Sequence, residues 1–169
     1  MMRKYFKGCS LALTFAIVAP ALSPSVALAQ DDCVGGGDQH TRGAELELTW
    51  ATRRDDPQTK PERYNRALDK LDESFADPPV DPRAYLLAAR AYLGLRDYVG
   101  GDTTLTMLVD AAPQCADQAL EMRFNAWVPL YNSGVEKLNA GDEDAAIESF
   151  EMANLIYSDS RSFNNAASI

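Results

Sequence analysis

Histidine is almost missing from this chain: His40 is the only one in 169 residues. A single histidine excludes zinc sites built on histidine pairs, and because His40 falls in a polar stretch near the start it leaves no histidine base for a folded catalytic region. No glycine-rich loop ending in lysine is present to cradle phosphate, and no serine sits in a nucleophile motif. Asp142-Glu143-Asp144 is too crowded for a calcium loop, which needs spaced oxygen ligands and a central glycine. Basic residues are also scarce, 16 against 25 acidic ones. Strand patterns are missing as well: valine, isoleucine and threonine never gather into an alternating run, so the fold class expected is all-α. Neither an enzyme nor a cofactor is expected from this inventory.

The first 29 residues read as a signal peptide. Arg3, Lys4 and Lys7 are followed by an uncharged stretch from Gly8 to Ala19, then Pro20 and Pro24, then Ala27-Leu28-Ala29 with small residues where a signal peptidase reads. Cleavage is expected after Ala29, before Gln30. An uncleaved anchor would have the length to span, but the two prolines and the small-residue end oppose it. Cys33 follows Asp31 and Asp32, which does not suit lipidation. A bacterial periplasmic or secreted location follows, with no membrane insertion after cleavage. The removed segment holds three basic and no acidic residues, which leaves 13 basic against 25 acidic and a net charge of −12. That charge repels nucleic acid and anionic head groups and favours basic or neutral partners; it also serves plain solubility.

Residues 30–43 form a polar leader with Gly35-Gly36-Gly37, read as a flexible linker. From Ala44 to Ile169, alanine and leucine recur at spacings of three and four, and breaks fall at Asp55-Asp56-Pro57, Asp77-Pro78-Pro79, Pro113 and Gly141-Asp142. The breaks are periodic. Pro79 and Pro113 are 34 residues apart, as are Leu71 and Leu105; a further copy follows at 45, taking Ala89 to Gly134, Asp97 to Asp142 and Leu105 to Phe150. A 34-residue unit of two helices resembles the tetratricopeptide repeat. Tyr85, Ala88-Ala89, Tyr92, Asp97-Tyr98, Leu105, Leu108 and Pro113 occupy that repeat's packing positions, and Leu130, Gly134, Leu138, Gly141-Asp142, Ala146-Ile147, Phe150 and Ala153 occupy them again. The segment Asn139 to Ala153 is the strongest match. The resemblance implies antiparallel helix pairs in a right-handed solenoid, and a role in holding protein or peptide rather than in catalysis.

Expected helices span 42–54, 62–76, 82–94, 102–112, 114–139 with a kink or restart near Pro129, 143–157 and 160–169. Gly100-Gly101 is read as a turn that delays the fourth helix. The eleven extra residues before the last copy, about three helical turns, extend the fifth helix forward. Residues 162–169 read as the opening of another repeat that the sequence cuts short.

The resemblance also implies a concave face lined by first-helix residues: Arg83, Leu86, Arg90 and Leu93, then Val128, Tyr131, Asn132, Val135 and Asn139, with Asn165 beyond. Such a groove would hold an extended peptide, the amides bonding its backbone and the arginines a carboxylate. The competing reading is that Leu86, Leu93 and Val135 pack inside the solenoid while Arg83 and Arg90 pair with neighbouring acids. Two roles stand side by side: an envelope scaffold or adaptor that binds through this face, and a structural accessory subunit of an envelope assembly that uses its convex surface or ends. Cys9 leaves with the signal peptide, so Cys33 and Cys115 are a candidate disulfide in an oxidising compartment. Sequence leaves open whether the leader reaches Cys115, and it leaves the oligomeric state open.

Overall fold

The computed structural model describes residues 33–53 and 56–158; the expected signal peptide and the expected last helix lie outside them. Six α-helices are described: α1 (Gln39–Arg53), α2 (Lys60–Ala76), α3 (Pro82–Leu95), α4 (Tyr98–Ala111), α5 (Ala116–Asn139) and α6 (Glu143–Ile156), with a 3-10 turn at Pro113–Cys115 before α5. No strand occurs among the described residues.

Capping chemistry explains most boundaries. The Asp81 carboxylate accepts the Arg83 N–H at 2.9 Å, and Pro82 takes the first helical position, where its missing donor costs nothing. Asp142 caps α6 by accepting from Ala145, with Glu143 and Asp144 at the positive end of the helix. Two starts differ from the sequence reading. α1 begins at Gln39, inside the expected leader, because the Asp38 carboxylate accepts the Thr41 N–H at 2.7 Å and the Thr41 hydroxyl donates to the Asp38 carbonyl. α4 begins at Tyr98 because Asp97 accepts the Gly100 N–H at 2.9 Å, so Gly100-Gly101 is helical, not a turn. Gly101 serves packing instead: a Cβ there would fall 2.5 Å from Leu93 Cδ2 on α3.

Helices pack as three neighbouring pairs, α1–α2, α3–α4 and α5–α6. Contacts within the first and third pairs run in opposite sequence order, which makes those pairs antiparallel: Glu47 meets Arg63 and His40 meets Glu73, while Lys137 reaches Ala145 and Gly134 lies against Phe150. α3 packs back onto α1 and α2, and α4 packs forward onto α5 and α6. Each step has its own core. Leu48, Ala67, Leu71, Leu87 and Ala88 fill the first, and Leu86, Ala89, Leu105, Leu108, Cys115 and Ala119 the second. Trp127, Ala153 and Ile156 form the third, with Tyr131 stacked on Trp127 at 4.9 Å between centroids. α5 runs through Pro129 as a single helix, so the restart allowed by the sequence does not occur.

Residues 33–38 do not hang loose. Cys33 and Cys115 are disulfide-bonded, with Cα atoms 5.1 Å apart. Val34 is buried in the second core. The Arg83 guanidinium donates to the Val34 carbonyl at 3.1 Å and to Glu45 at 2.8 Å. Asp38 accepts from the Ser74 hydroxyl on α2. The Thr41 backbone N–H holds the Asp38 carboxyl below its usual value, slight desolvation opposes this, and the Thr41 and Ser74 hydroxyls add to the lowering.

Candidate functional site

A cleft of about 590 Å³ opens between the C-terminal end of α3 and the middle of α5. Its α5 wall is one stripe of the helix, Met122, Asn125, Ala126, Pro129, Leu130 and Ser133, at spacings of three and four. Leu93, Gly94, Arg96 and Tyr98 make the opposite wall.

Anchors near both ends of α5 set its position. Arg123 Nε donates to Asp102 Oδ1 at 2.7 Å and its Nη2 to Thr106 Oγ1 at 2.9 Å, which pins the first half of α5 to α4. Toward the other end, the Phe150 ring of α6 lies against Gly134, and Lys137 Nζ donates to Ser149 at 2.9 Å. Between these anchors Pro129 has no N–H for the Asn125 carbonyl, four residues back and on the same stripe.

Arg96 sets the other rim. It is the residue that turns the chain out of α3, in the left-handed conformation at φ 64°. Its N–H donates to the Leu93 carbonyl at 3.1 Å and the Asp97 N–H to Tyr92 at 2.9 Å, the paired bonds of a Schellman-type ending. Glycine is the favoured residue in this conformation. The Arg96 side chain is exposed and makes no ion pair among the described residues.

The structure rearranges the groove expected from sequence. Leu86 is wholly buried in the second core and lines nothing. Arg83 is buried and committed to Val34 and Glu45, because the strap formed by residues 33–38 covers the face of α3 that counting around the helix left outside. Arg90 is half-buried and outside the cleft wall. Leu93 does line the cleft. Tyr131 packs between Trp127 and Phe150, Val128 packs on the third core, and Val135 is half-buried. Asn132 and Asn139 are exposed on α5 away from the cleft, and Asn165 lies outside the described residues.

Arg96, Tyr98, Asn125 and Ser133 are the polar groups that sequence reasoning missed. Pro129 was the available signal, a helix-interior proline that stability alone does not favour. Among the described residues no group of three or more histidine, cysteine or acidic side chains could hold a metal ion, and no helix is long and apolar enough to cross a membrane. The chain matches no protein-family model, no curated protein and no solved structure.

Proposed function

We propose that this chain is a non-enzymatic scaffold or adaptor of the bacterial cell envelope, related to tetratricopeptide-repeat solenoids, that holds a protein or peptide segment in the cleft between α3 and α5. One observation carries the proposal. Arg96 occupies a backbone conformation where glycine would serve the fold better, yet it places a guanidinium with no ion pair among the described residues beside Tyr98, Asn125, Ser133 and an apolar floor. Such a mixture suits a polypeptide: the polar rim bonds main-chain carbonyls or a carboxylate, while Leu93, Met122 and Leu130 receive a side chain. The 34-residue period and the signal-peptide pattern support the repeat and export parts of the reading.

A second reading, a structural subunit of an envelope assembly, draws on a different feature. Leu120 and Phe124, one turn apart on α5, are 52% and 41% exposed. Such a pair suits burial against a permanent neighbour.

The test separates the two. A photo-crosslinking amino acid at Ser133, inside the cleft, is compared with one at Phe124 in envelope extracts, each with Arg96 intact and with Arg96→Gly. Arg96→Gly relieves the backbone and is expected to leave the fold intact. Adducts at Ser133 that vanish with Arg96→Gly support the cleft. Adducts confined to Phe124, or indifferent to Arg96, overturn it.

A further inference from the structure

A second cavity, of about 450 Å³, lies on another face, between the last turn of α2, α3 and α4. Three aromatic rings line it, Phe75, Tyr85 and Tyr92, together with Val80 and Met107. The Phe75 and Tyr85 centroids are 5.5 Å apart with planes tilted by 35°. No charged side chain lines the wall.

A carboxylate stands near each end, and at the Gly100 end it offsets the positive first turn of α4. Asp97 stands at one end: a Cβ on Gly100 would meet Asp97 Oδ2 and Tyr92 Cδ1 at 2.8 Å each, so this carboxylate oxygen and this ring flank the same lining glycine. Asp97 Oδ1 caps Gly100, while Oδ2 accepts no hydrogen bond among the described residues. At the other end α2 finishes at Ala76 beside the lining Phe75, with no basic residue in its last turn and with Asp77 as its C-cap. The last carbonyls of a helix carry partial negative charge. Lys70, five residues before Phe75 on α2, lies against Gly43 of α1.

Aromatic faces, a helix C-terminus and carboxylates all attract the same thing, a cation with an apolar stem. The geometry points to a binding site for the lysine or arginine side chain of a basic polypeptide segment, seated among Phe75, Tyr85 and Tyr92 with its charge toward Asp97. A polypeptide source fits better than a free small cation because the apolar surface continues beyond the cavity. Val99, 56% exposed and one turn from the lining Thr103 on α4, offers contact to the residues beside the bound side chain, and the lining Met107 is itself 46% exposed. The acidic balance of the chain, 25 acidic against 16 basic residues, favours the same partner. This site is independent of the α3–α5 cleft.

The experiment is an NMR titration of the purified, disulfide-bonded chain with the peptide acetyl-Leu-Arg-Leu-Arg-Leu-amide. The reference is the same peptide with citrulline for arginine, which keeps the shape and removes the charge. The arginine peptide is expected to bind about tenfold tighter than the citrulline one, the size of a partly desolvated cation–π contact. Shifts should centre on Tyr85, Tyr92 and Gly100, and the advantage should shrink as salt rises. Tyr92→Leu should weaken binding about fivefold by removing one ring. If that variant does not fold, Val99→Lys, an exposed change at the rim, should weaken binding by adding a like charge and removing the Val99 contact. Equal affinity for the citrulline peptide, shifts on α5 and α6 instead, no binding at millimolar peptide, or tighter binding of choline than of the arginine peptide would each overturn the assignment.

Discussion

The guanidinium of Arg83 donates to the main-chain carbonyl of Val34 at 3.1 Å, across 49 residues of sequence. Its second branch pairs with Glu45 at 2.8 Å, where the glutamate is 42% exposed and the arginine 11%. The arginine is therefore the desolvated partner, and Glu45 can return to water when the pair is broken. Arg83→Leu is expected to cost about 2 kcal/mol, mostly through the stranded Val34 carbonyl. Glu45→Gln should cost well under half of that, about 0.5 kcal/mol. Urea midpoints of the two variants compare them directly, and equal losses would contradict this division.

The Cys33–Cys115 bond closes a loop with a sequence separation of 82. On the chain-entropy account a loop of that size is worth about 4.5 kcal/mol. The Cys33→Ser, Cys115→Ser double variant should lose several kcal/mol of unfolding free energy. Thiol labelling of the exported parent without reductant should find no reactive cysteine; two labelled cysteines would show that the bond does not form.

Gly134 and Phe150 form a tight seam between α5 and α6. A Cβ at Gly134 would lie 2.5 Å from Phe150 Cε1, and the ring is wholly buried. Gly134→Ala gains about 1 kcal/mol of helix propensity but overfills the seam at about 1–3 kcal/mol. A net loss is expected. Phe150→Leu in the same chain should recover part of it, giving a coupling of at least about 0.5 kcal/mol in a double-mutant cycle. Additive effects would mean that the helices separate freely.

Asp38 makes the acid limb of stability specific. Its carboxyl is held below the ordinary value of 3.8, first by the Thr41 N–H. A depressed folded value means that the contribution is fully present above that ordinary value and is lost as pH falls through the folded one. Asp38→Asn should lower stability at pH 7 and flatten the loss between pH 7 and strongly acidic conditions. Urea titrations at both ends measure it; parallel pH profiles for parent and variant would remove Asp38 from the acid response.

Much of the fold was legible because its signals are local. Asp81-Pro82 and Gly141-Asp142 announce helix ends through caps that need only their neighbours. Gly100-Gly101 misled for the opposite reason: its smallness answers to Leu93 and Tyr92 on another helix, which no reading of turn propensity reveals. The groove was harder still. Periodicity tells which residues of α3 share a face, but not that residues 33–38 return to cover Arg83 or that Leu86 meets α4 and α5. The α3–α5 cleft joins Leu93 to Arg96 with the Met122 to Ser133 stripe of α5, which are far apart in sequence.

The strap also decides how the molecule bears force. A pull between the segment before Cys33 and the end of α6 enters through Cys33 and passes straight to Cys115 through the covalent bridge. α1 to α4 lie inside that ring and are bypassed by the covalent path, whereas α5 and α6 lie in series with it. Under load the unbridged half should extend first, opening the α3–α5 cleft while the aromatic cavity among α2, α3 and α4 keeps its shape.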